Sequence, residues 1–363
     1  MSEKLYVDPD IKKASTLPAS FYRDPVFFEQ LRQKVFHRTW QCIDAEKMPS
    51  PPVRATDFQL LDGFIKTPLL ISRDTDDEYH CLSNVCTHRG NLLTSGPSTS
   101  KKLVCGYHGR RFSLDGTFEF MPEFEQAEGF PSECDHLSAF PLWHWGPLWL
   151  TSLDPAIDFA EIADLLDERI GFLSPETFRL APERSKSYEI NAHWALYCDN
   201  YLEGFHIPFV HKDLDAVLDY GTYETLLFEN CNLQIGYADG ETEAVFDLPR
   251  GHVDYGKKIA AYYFWVFPNL MFNFYPWGLS LNIVNPVAPD RSRVDFISYV
   301  GYPERLGKGA GADLDKVELE DEAVVEGVQK GIQSGLYSSG RFSPTREKGV
   351  HHFHCLLTRY MNA

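Results

Sequence analysis

A small all-β unit followed by a larger α+β unit is the fold class that this chain predicts. Three observations carry it. The length of 363 residues exceeds what one hydrophobic core usually organises, so two domains are expected. From roughly residue 41 to 152 the pattern is short β-rich runs (FQLLDGF, PLLISRD, KLVCGY) punctuated by Gly, Pro and Asp, with Asp115-Gly116 as a hairpin signal. After Pro155 the pattern turns to an acidic helical segment, then to long strands from Tyr262 to Tyr299, and last to a helix.

Residues 1–40 hold a helical segment. Within LPASFYRDPVFFEQLRQKVFHRTW, Pro25 suits a first helical turn and Phe28, Leu31, Val35 and Phe36 recur at helical spacing. The joint between the two domains is placed at residues 153–160, just before the helical run DFAEIADLLDERIGFL. An extended run follows near Lys186–Trp194, then a mixed segment to Tyr220. After the strands a Gly-rich loop (LGKGAGAD) leads to the final helix.

The balance of 34 Lys and Arg against 52 Asp and Glu gives a net charge of −18, which repels phosphates and argues against nucleic acid or an anionic membrane as partner. No run approaches a membrane span and MSEKLYVDPDIKK has no apolar signal core, so the chain reads as a cytoplasmic protein. Eight scattered cysteines in such a chain point to metal ligation before disulfides.

Four of the residues that can ligate a metal form a pattern. NVCTHRG gives Cys86 and His88, and after sixteen intervening residues CGYHG gives Cys105 and His108. Two thiolates and two imidazoles can hold Zn²⁺ or a [2Fe–2S] centre of mixed ligation. Each short loop carries one ligand of either type, so each can give its thiolate to one iron and its imidazole to the other, whereas zinc fingers commonly group like with like. Gly90, Gly106 and Gly109 permit positive φ and close approach of backbone N–H groups. The arrangement resembles the Rieske iron–sulfur motif. Where family members carry Trp after the His-Gly, this chain has Arg110.

In CDNYLEGFHIPFVH, Glu203, His206 and His211 follow one another. Two imidazoles and a carboxylate leave three open positions on Fe(II), enough for O2 with a substrate beside it. On a straight helix the two histidines would diverge by about 140°, but Pro208 between them breaks the helical ladder. The acid is sought on the last helix. There Leu314, Val317, Val324, Val325, Val328 and Ile332 form an apolar stripe with Asp321 in its middle, and Glu322 and Glu326 on the solvent side. A carboxylate on a buried stripe needs a cation, either a Lys or Arg partner or a metal, and Glu318 is the reserve candidate. Glu203 would share the side of His206 and could hydrogen-bond it, with Asn200 in the same patch.

Together these residues resemble the oxygenase (alpha) component of a Rieske non-haem iron oxygenase over nearly the whole chain. CDNYLEGFHIPFVHKDLDAVLDY, EDEAVVEGVQKGIQSGLYSSGR and HHFHCLL are similar to the choline monooxygenase branch, whose members act on quaternary ammonium compounds. The resemblance implies an all-β Rieske [2Fe–2S] domain (residues 41–152) and a helix-grip (START-like) catalytic domain (153–363) with a long antiparallel sheet and a C-terminal helix. The first forty residues would pack on the catalytic domain. It implies Cys86, His88, Cys105 and His108 as cluster ligands, and His206, His211 and Asp321 as ligands of a mononuclear Fe(II). Glu203 becomes the bridge across which the cluster of one subunit of a homotrimer feeds the iron of the next. The implied partners are O2, a small-molecule substrate and an NAD(P)H-dependent flavin/iron–sulfur reductase or ferredoxin.

In the run YYFWVFPNLMFNFYPWG, Phe264, Phe272, Tyr275 and Trp277 are candidates for an aromatic pocket that holds a trimethylammonium group by cation–π attraction. A flat arene would fit similar walls, so an aromatic-ring hydroxylating oxygenase is the rival enzyme reading. A Rieske electron carrier without oxygenase chemistry and a zinc-stabilised binding protein are the rivals from other classes. His351, His352 and His354 read as structural or pocket-lining.

Overall fold

The computed structural model describes residues 4–210, 223–238, 244–309 and 314–363, the side chains of residues 62 and 314–317 excepted. The described chain falls into two compact units. One comprises residues 37–144 and 148–157; the other comprises residues up to 36, then 145–147, and 158 onward.

The larger unit opens on helices α1 (Ala19–Arg23) and α2 (Pro25–Lys34), not on one continuous helix. Proline disfavours helical backbone in the residue before it, and Asp24 is extended (ψ 118°), its side chain accepting from the Val26 N–H at 2.8 Å. Leu31, Val35 and Phe36 are fully buried.

The smaller unit is all β. Its strands are β1 (Gln41–Ile43), β2 (Ala55–Phe58), β3 (Leu69–Arg73), β4 (Tyr79–Ser83), β5 (Leu103–Val104), β6 (Arg111–Phe112), β7 (Phe118–Phe120), β8 (Ala139–Phe140), β9 (Leu142–Trp145) and β10 (Leu148–Thr151). They form three antiparallel sheets, ordered β1-β10-β9, β2-β3-β4-β8 and β5-β6-β7. The run FQLLDGF becomes a 3-10 turn (Leu60–Gly63) after β2, not a strand. Its core gathers Leu70, Leu82, Leu103, Phe112 and Leu114 around Cys86 and Cys105.

In the larger unit α3 (Ala160–Ile170) buries Ile162, Leu166 and Ile170. An eight-stranded antiparallel sheet follows, built from β11 (Arg179–Leu180), β12 (Lys186–Ile190), β13 (Glu224–Leu227), β14 (Cys231–Tyr237), β15 (Ile259–Val266), β16 (Leu270–Tyr275), β17 (Gly278–Ala288) and β18 (Arg291–Val300). The path runs β11-β18-β17-β16-β15-β14-β13, with β12 also pairing to β18. Helices α4 (Trp194–Tyr201) and α5 (Ile207–Val210) lie between β12 and β13 in sequence, and α6 (Leu314–Gln333) and α7 (Lys348–Asn362) close the chain. The α+β class therefore stands, with one addition: two C-terminal helices, not one. The signal for α7 was present, since Val350, Phe353, Leu357 and Met361 recur at helical spacing and are all buried. Among the described residues no helix is long and apolar enough to cross a membrane.

Candidate active site

Two loops in the β unit repeat one backbone design. Cys86 N–H donates to Asn91 O and Gly90 N–H returns to Cys86 O, at 2.8 and 3.0 Å; Cys105 N–H donates to Arg110 O and Gly109 N–H returns to Cys105 O at the same two distances. The glycines close these turns at φ +72° and +73°, where a side chain would be strained. Gly106, expected to share this role, does not have a positive φ. Each loop carries its histidine on the second or third residue after the cysteine.

The result sorts the donors. Cys86 and Cys105 are each 2% exposed and sit side by side in the core, while His88 and His108 project outward with ring centroids 4.8 Å apart. Burial pushes the Cys86 thiol up. At Cys105 burial is outweighed by the Tyr107 backbone N–H, Cys86 and the Asn91 amide (3.7 Å from Sγ), so that thiol falls below its usual range. Paired buried thiols beside paired outward imidazoles suit a two-iron cluster with sulfur on one iron and nitrogen on the other.

Asp135 ties the loops together. Its carbonyl accepts from Thr87 Oγ1 (2.9 Å) and from Arg110 Nη2 (3.1 Å), and its carboxylate pairs with the same guanidinium at 2.6 Å. Arg110 is 2% exposed and lies over Phe118, Phe130 and Phe112 at 4.9, 5.4 and 5.6 Å. A buried cation boxed by aromatic rings thus occupies the position after His108-Gly109.

The second group lies in the larger unit. His206 Nδ1 meets Glu203 Oε1 at 2.7 Å, and Glu203 Oε2 accepts the backbone N–H groups of Phe205 and His206. That pairing places Nδ1–H toward the acid and turns Nε2 outward, where it stands 3.4 Å from Asp321 Oδ1. Asn200 Nδ2 donates to the same oxygen at 2.6 Å. Such a spacing is near that of two donors sharing one ion roughly 2 Å from each. His211 lies outside the described residues, and among the described residues no three donors close around one ion.

The stripe expected around Asp321 on α6 is only partly buried. Val325 and Ile332 are buried, but Val328 is 44% exposed and Val324 half-buried; the side chains of Leu314 and Val317 lie outside the described residues. The buried face of α6 is partly polar: Glu318 is 3% exposed and accepts from Tyr197 O–H at 2.5 Å, and Gln329 accepts from His193 N–H at 3.0 Å. Burial drives Glu318 up to about 8, so it stands as a neutral donor or acceptor to Tyr197 and does not meet His206. Glu322, expected in solvent, keeps Oε1 buried without a protein partner.

Sequence reasoning missed Asp199. Its carboxylate accepts from Tyr22 O–H (2.9 Å) and pairs with His354 Nε2 (2.8 Å), whose Nδ1 accepts the Leu17 N–H at 3.1 Å. No local pattern marks it, because its partners Tyr22 and His354 lie far from it in sequence. His354 is 1% exposed, with His351 bonded to Asp8 O at 2.8 Å. Asp199, Asn200, Glu203, His206, Val325 and His354 line a cavity of about 430 Å³.

The aromatic candidates separate. In the β15–β16 ladder Phe264 faces Phe272 and Tyr262 faces Phe274, whereas Tyr263 faces Asn273. Pleating therefore puts Phe264 and Phe272 on the face that carries Phe274 and its contact to Trp145, and Tyr275 on the opposite face, where Tyr201 of α4 donates to Asn273. Phe264 and Phe272 are corrected to core residues. Trp277 stacks on Tyr275 at 5.5 Å, fully buried.

Two Cys–His loops in a β unit and a His–Asp pair in a sheet-and-helix unit are the features that a Rieske-type oxygenase requires. Residues 49–140 match the Rieske [2Fe-2S] domain and residues 178–363 the ring hydroxylating alpha subunit (catalytic domain), and the chain belongs to that family. Members combine a [2Fe–2S] centre with a catalytic domain that binds mononuclear iron. The chain is 31% identical to the chloroplastic choline monooxygenase of Arabidopsis thaliana over 369 residues, covering 96% of this chain and 84% of that one. It is 27% identical to the carnitine monooxygenase oxygenase subunit of Escherichia coli (strain K12), covering 96% and 94%. The fold superposes on a crystal structure of the quaternary ammonium Rieske monooxygenase CntA with TM-score 0.75 at 22% identity, covering 99% of both chains.

The Arg110 clamp gives a first prediction. Arg110→Met takes the cation from Asp135 and unties the second loop from it, and is expected to cost roughly 2 kcal/mol, discounted from a fully buried pair because Asp135 is 15% exposed. Heating while following the visible absorbance of the iron–sulfur chromophore should show bleaching several degrees earlier, with Arg110→Lys intermediate. Unchanged bleaching in both variants removes the clamp.

Proposed function

We propose that the protein is the oxygenase component of a system that hydroxylates a quaternary ammonium compound of the choline or betaine kind, using O2 and electrons from a separate NAD(P)H-dependent reductase or ferredoxin. The observation that carries this reading is the His206 Nε2–Asp321 Oδ1 approach at 3.4 Å, braced by Glu203 on one side and Asn200 on the other. Such bracing belongs to metal ligands, whose other atoms are held by hydrogen bonds that fix orientation. A plain electron carrier has no use for it.

In this reading Cys86, His88, Cys105 and His108 hold the cluster, and His206, Asp321 and His211 hold Fe(II), which when bound supplies O2 activation beside a substrate C–H bond. The remaining roles fall to the chain. Glu203 keeps the His206 proton on Nδ1, leaving the Nε2 lone pair for the metal, and Asn200 holds the Asp321 carboxylate in register. Electrons would cross from the cluster of a neighbouring subunit through Glu203, in a homotrimer. The choline and carnitine monooxygenases to which the chain is similar support the substrate class.

Reconstituted protein with a surrogate reductase tests it. Choline, a betaine or carnitine should stimulate NADH and O2 consumption with matching product. Coupled turnover on simple arenes, with no response to any quaternary ammonium, would instead establish the aromatic-ring reading.

A further inference from the structure

The residue after His108-Gly109 carries a full positive charge into the interior of the β unit, and it bridges the two ligand loops. The Arg110 carbonyl accepts the Cys105 N–H at 2.8 Å, and its guanidinium shares the Asp135 carbonyl with Thr87, the residue between Cys86 and His88. An aromatic chain links guanidinium to imidazole. Phe130 lies 5.4 Å from Arg110 Cζ and 4.8 Å from Phe124, which meets His88 edge to face at 5.4 Å.

The counter-ion cancels this charge only in part. Both bonds to Asp135 leave from Nη2, while Nε is buried with no protein partner among the described residues. The Arg110 side chain is 2% exposed and that of Asp135 15%, and the acid also accepts from Ser132 N–H and Oγ at 2.8 and 3.0 Å. Water and the Ser132 donors therefore screen the acid more than anything screens the guanidinium, and the pair presents a net positive field to the loops. That field reaches a ligand: burial, then His108, Arg89 and Arg110, hold the His88 imidazole below its ordinary range.

Resting on the ligand set assigned above, we infer that Arg110 sets the reduction potential of the [2Fe–2S] centre, its buried charge favouring the reduced state. Reduction adds one electron between the two loops, and a fixed cation in water-poor surroundings lowers the energy of that added charge. Guanidinium keeps its proton at any working pH, so the charge is permanent. A neutral residue at this position leaves the potential lower. A centre poised higher is reduced more completely by a given donor and releases less free energy when it passes the electron on.

Redox titration of the full-length, cluster-loaded protein against a reference dye, kept cold and read by visible absorbance, tests the assignment. Arg110→Met should shift the one-electron equilibrium about tenfold toward the oxidised cluster, or about 59 mV, while Arg110→Lys stays within about twofold of the wild type. Asp135→Asn removes the opposing charge and should move the equilibrium about threefold the other way. Opposite signs mark a charge effect; a pair that merely holds the loops shut would shift both variants in the same direction. Arg111→Met makes the same charge change one residue along, where the side chain is 46% exposed. Its effect should be under about twofold and vanish at about 1 M salt, whereas that of Arg110→Met should persist. An Arg110→Met potential within about twofold of the wild type overturns the inference, as does a shift of like sign in Asp135→Asn. Should Arg110→Met fail to hold its cluster, Asp135→Asn decides alone, and a shift toward the oxidised form, or none, is fatal. A wild type that assembles no [2Fe–2S] chromophore defeats the ligand set itself, a result distinct from a potential indifferent to Arg110.

Discussion

Asp321→Ala is expected to leave the brown chromophore intact, to lower bound iron from about three to about two per chain, and to abolish turnover. The physical reason is local. The Asp321 side chain is 14% exposed, faces His206 Nε2 at 3.4 Å, and takes a hydrogen bond from Asn200 at 2.6 Å. Its Oδ1 and His206 Nε2 approach each other as two donors to one ion would. Removing one of three protein donors weakens a ferrous site far more than it weakens the fold, because alanine leaves Asn200 free to turn toward solvent or substrate. Iron analysis and visible spectroscopy on one sample separate the two centres. Glu318→Gln is the control: Glu318 is bonded to Tyr197 and raised to about 8 by burial, so its loss as an acid should leave iron content unchanged. Retained iron and turnover in Asp321→Ala would strip Asp321 of its role and with it the oxygenase mechanism proposed here.

How far the sequence disclosed this arrangement depended on how local each feature is. Cys86, His88, Cys105 and His108 sit in two short loops whose glycines and spacing are written in the chain, so their grouping was legible. Glu203 and His206 are three residues apart and meet at 2.7 Å for the same reason. Asp321 was reachable because an acid within an apolar stripe demands a partner, yet the stripe was drawn from hydropathy. The real buried face of α6 includes Glu318 and Gln329, which serve Tyr197 and the His193 N–H; such service is invisible until α4 and α6 are packed. The Asp199–His354–Tyr22 triangle joins elements far apart in sequence and has no local signature. Phe264 and Phe272 were misplaced for a different reason. In a strand, neighbours point to opposite faces, and a run aromatic on both faces does not say which one looks toward the helices.

Glu203→Gln is expected to retain both metals and to slow turnover by about 100-fold. The carboxylate does two things that an amide cannot do together. One oxygen meets the imidazole Nδ1 of His206, while the other accepts the backbone N–H groups of Phe205 and His206. Glutamine has a single acceptor oxygen; whichever contact it keeps, its NH2 group is presented to the other, where a donor already stands. The His206 ring then loses its brace or its loop loses its cap, but the ring still has a lone pair to give. Iron should therefore remain bound. The negative charge on the path proposed between a neighbouring cluster and His206 is gone, so oxidation of the pre-reduced cluster, followed by stopped-flow absorbance with substrate and O2 present, should slow in step with steady-state turnover. A purely orienting role predicts another pattern: weaker iron binding, with cluster oxidation at the wild-type rate once iron is saturating. Asp199→Asn offers a comparison four residues away, where the acid is tied to Tyr22 and His354 and not to His206. If cluster oxidation is fast in Glu203→Gln, electrons reach the iron without that carboxylate, and the bridge must be sought elsewhere on the wall of the same cavity.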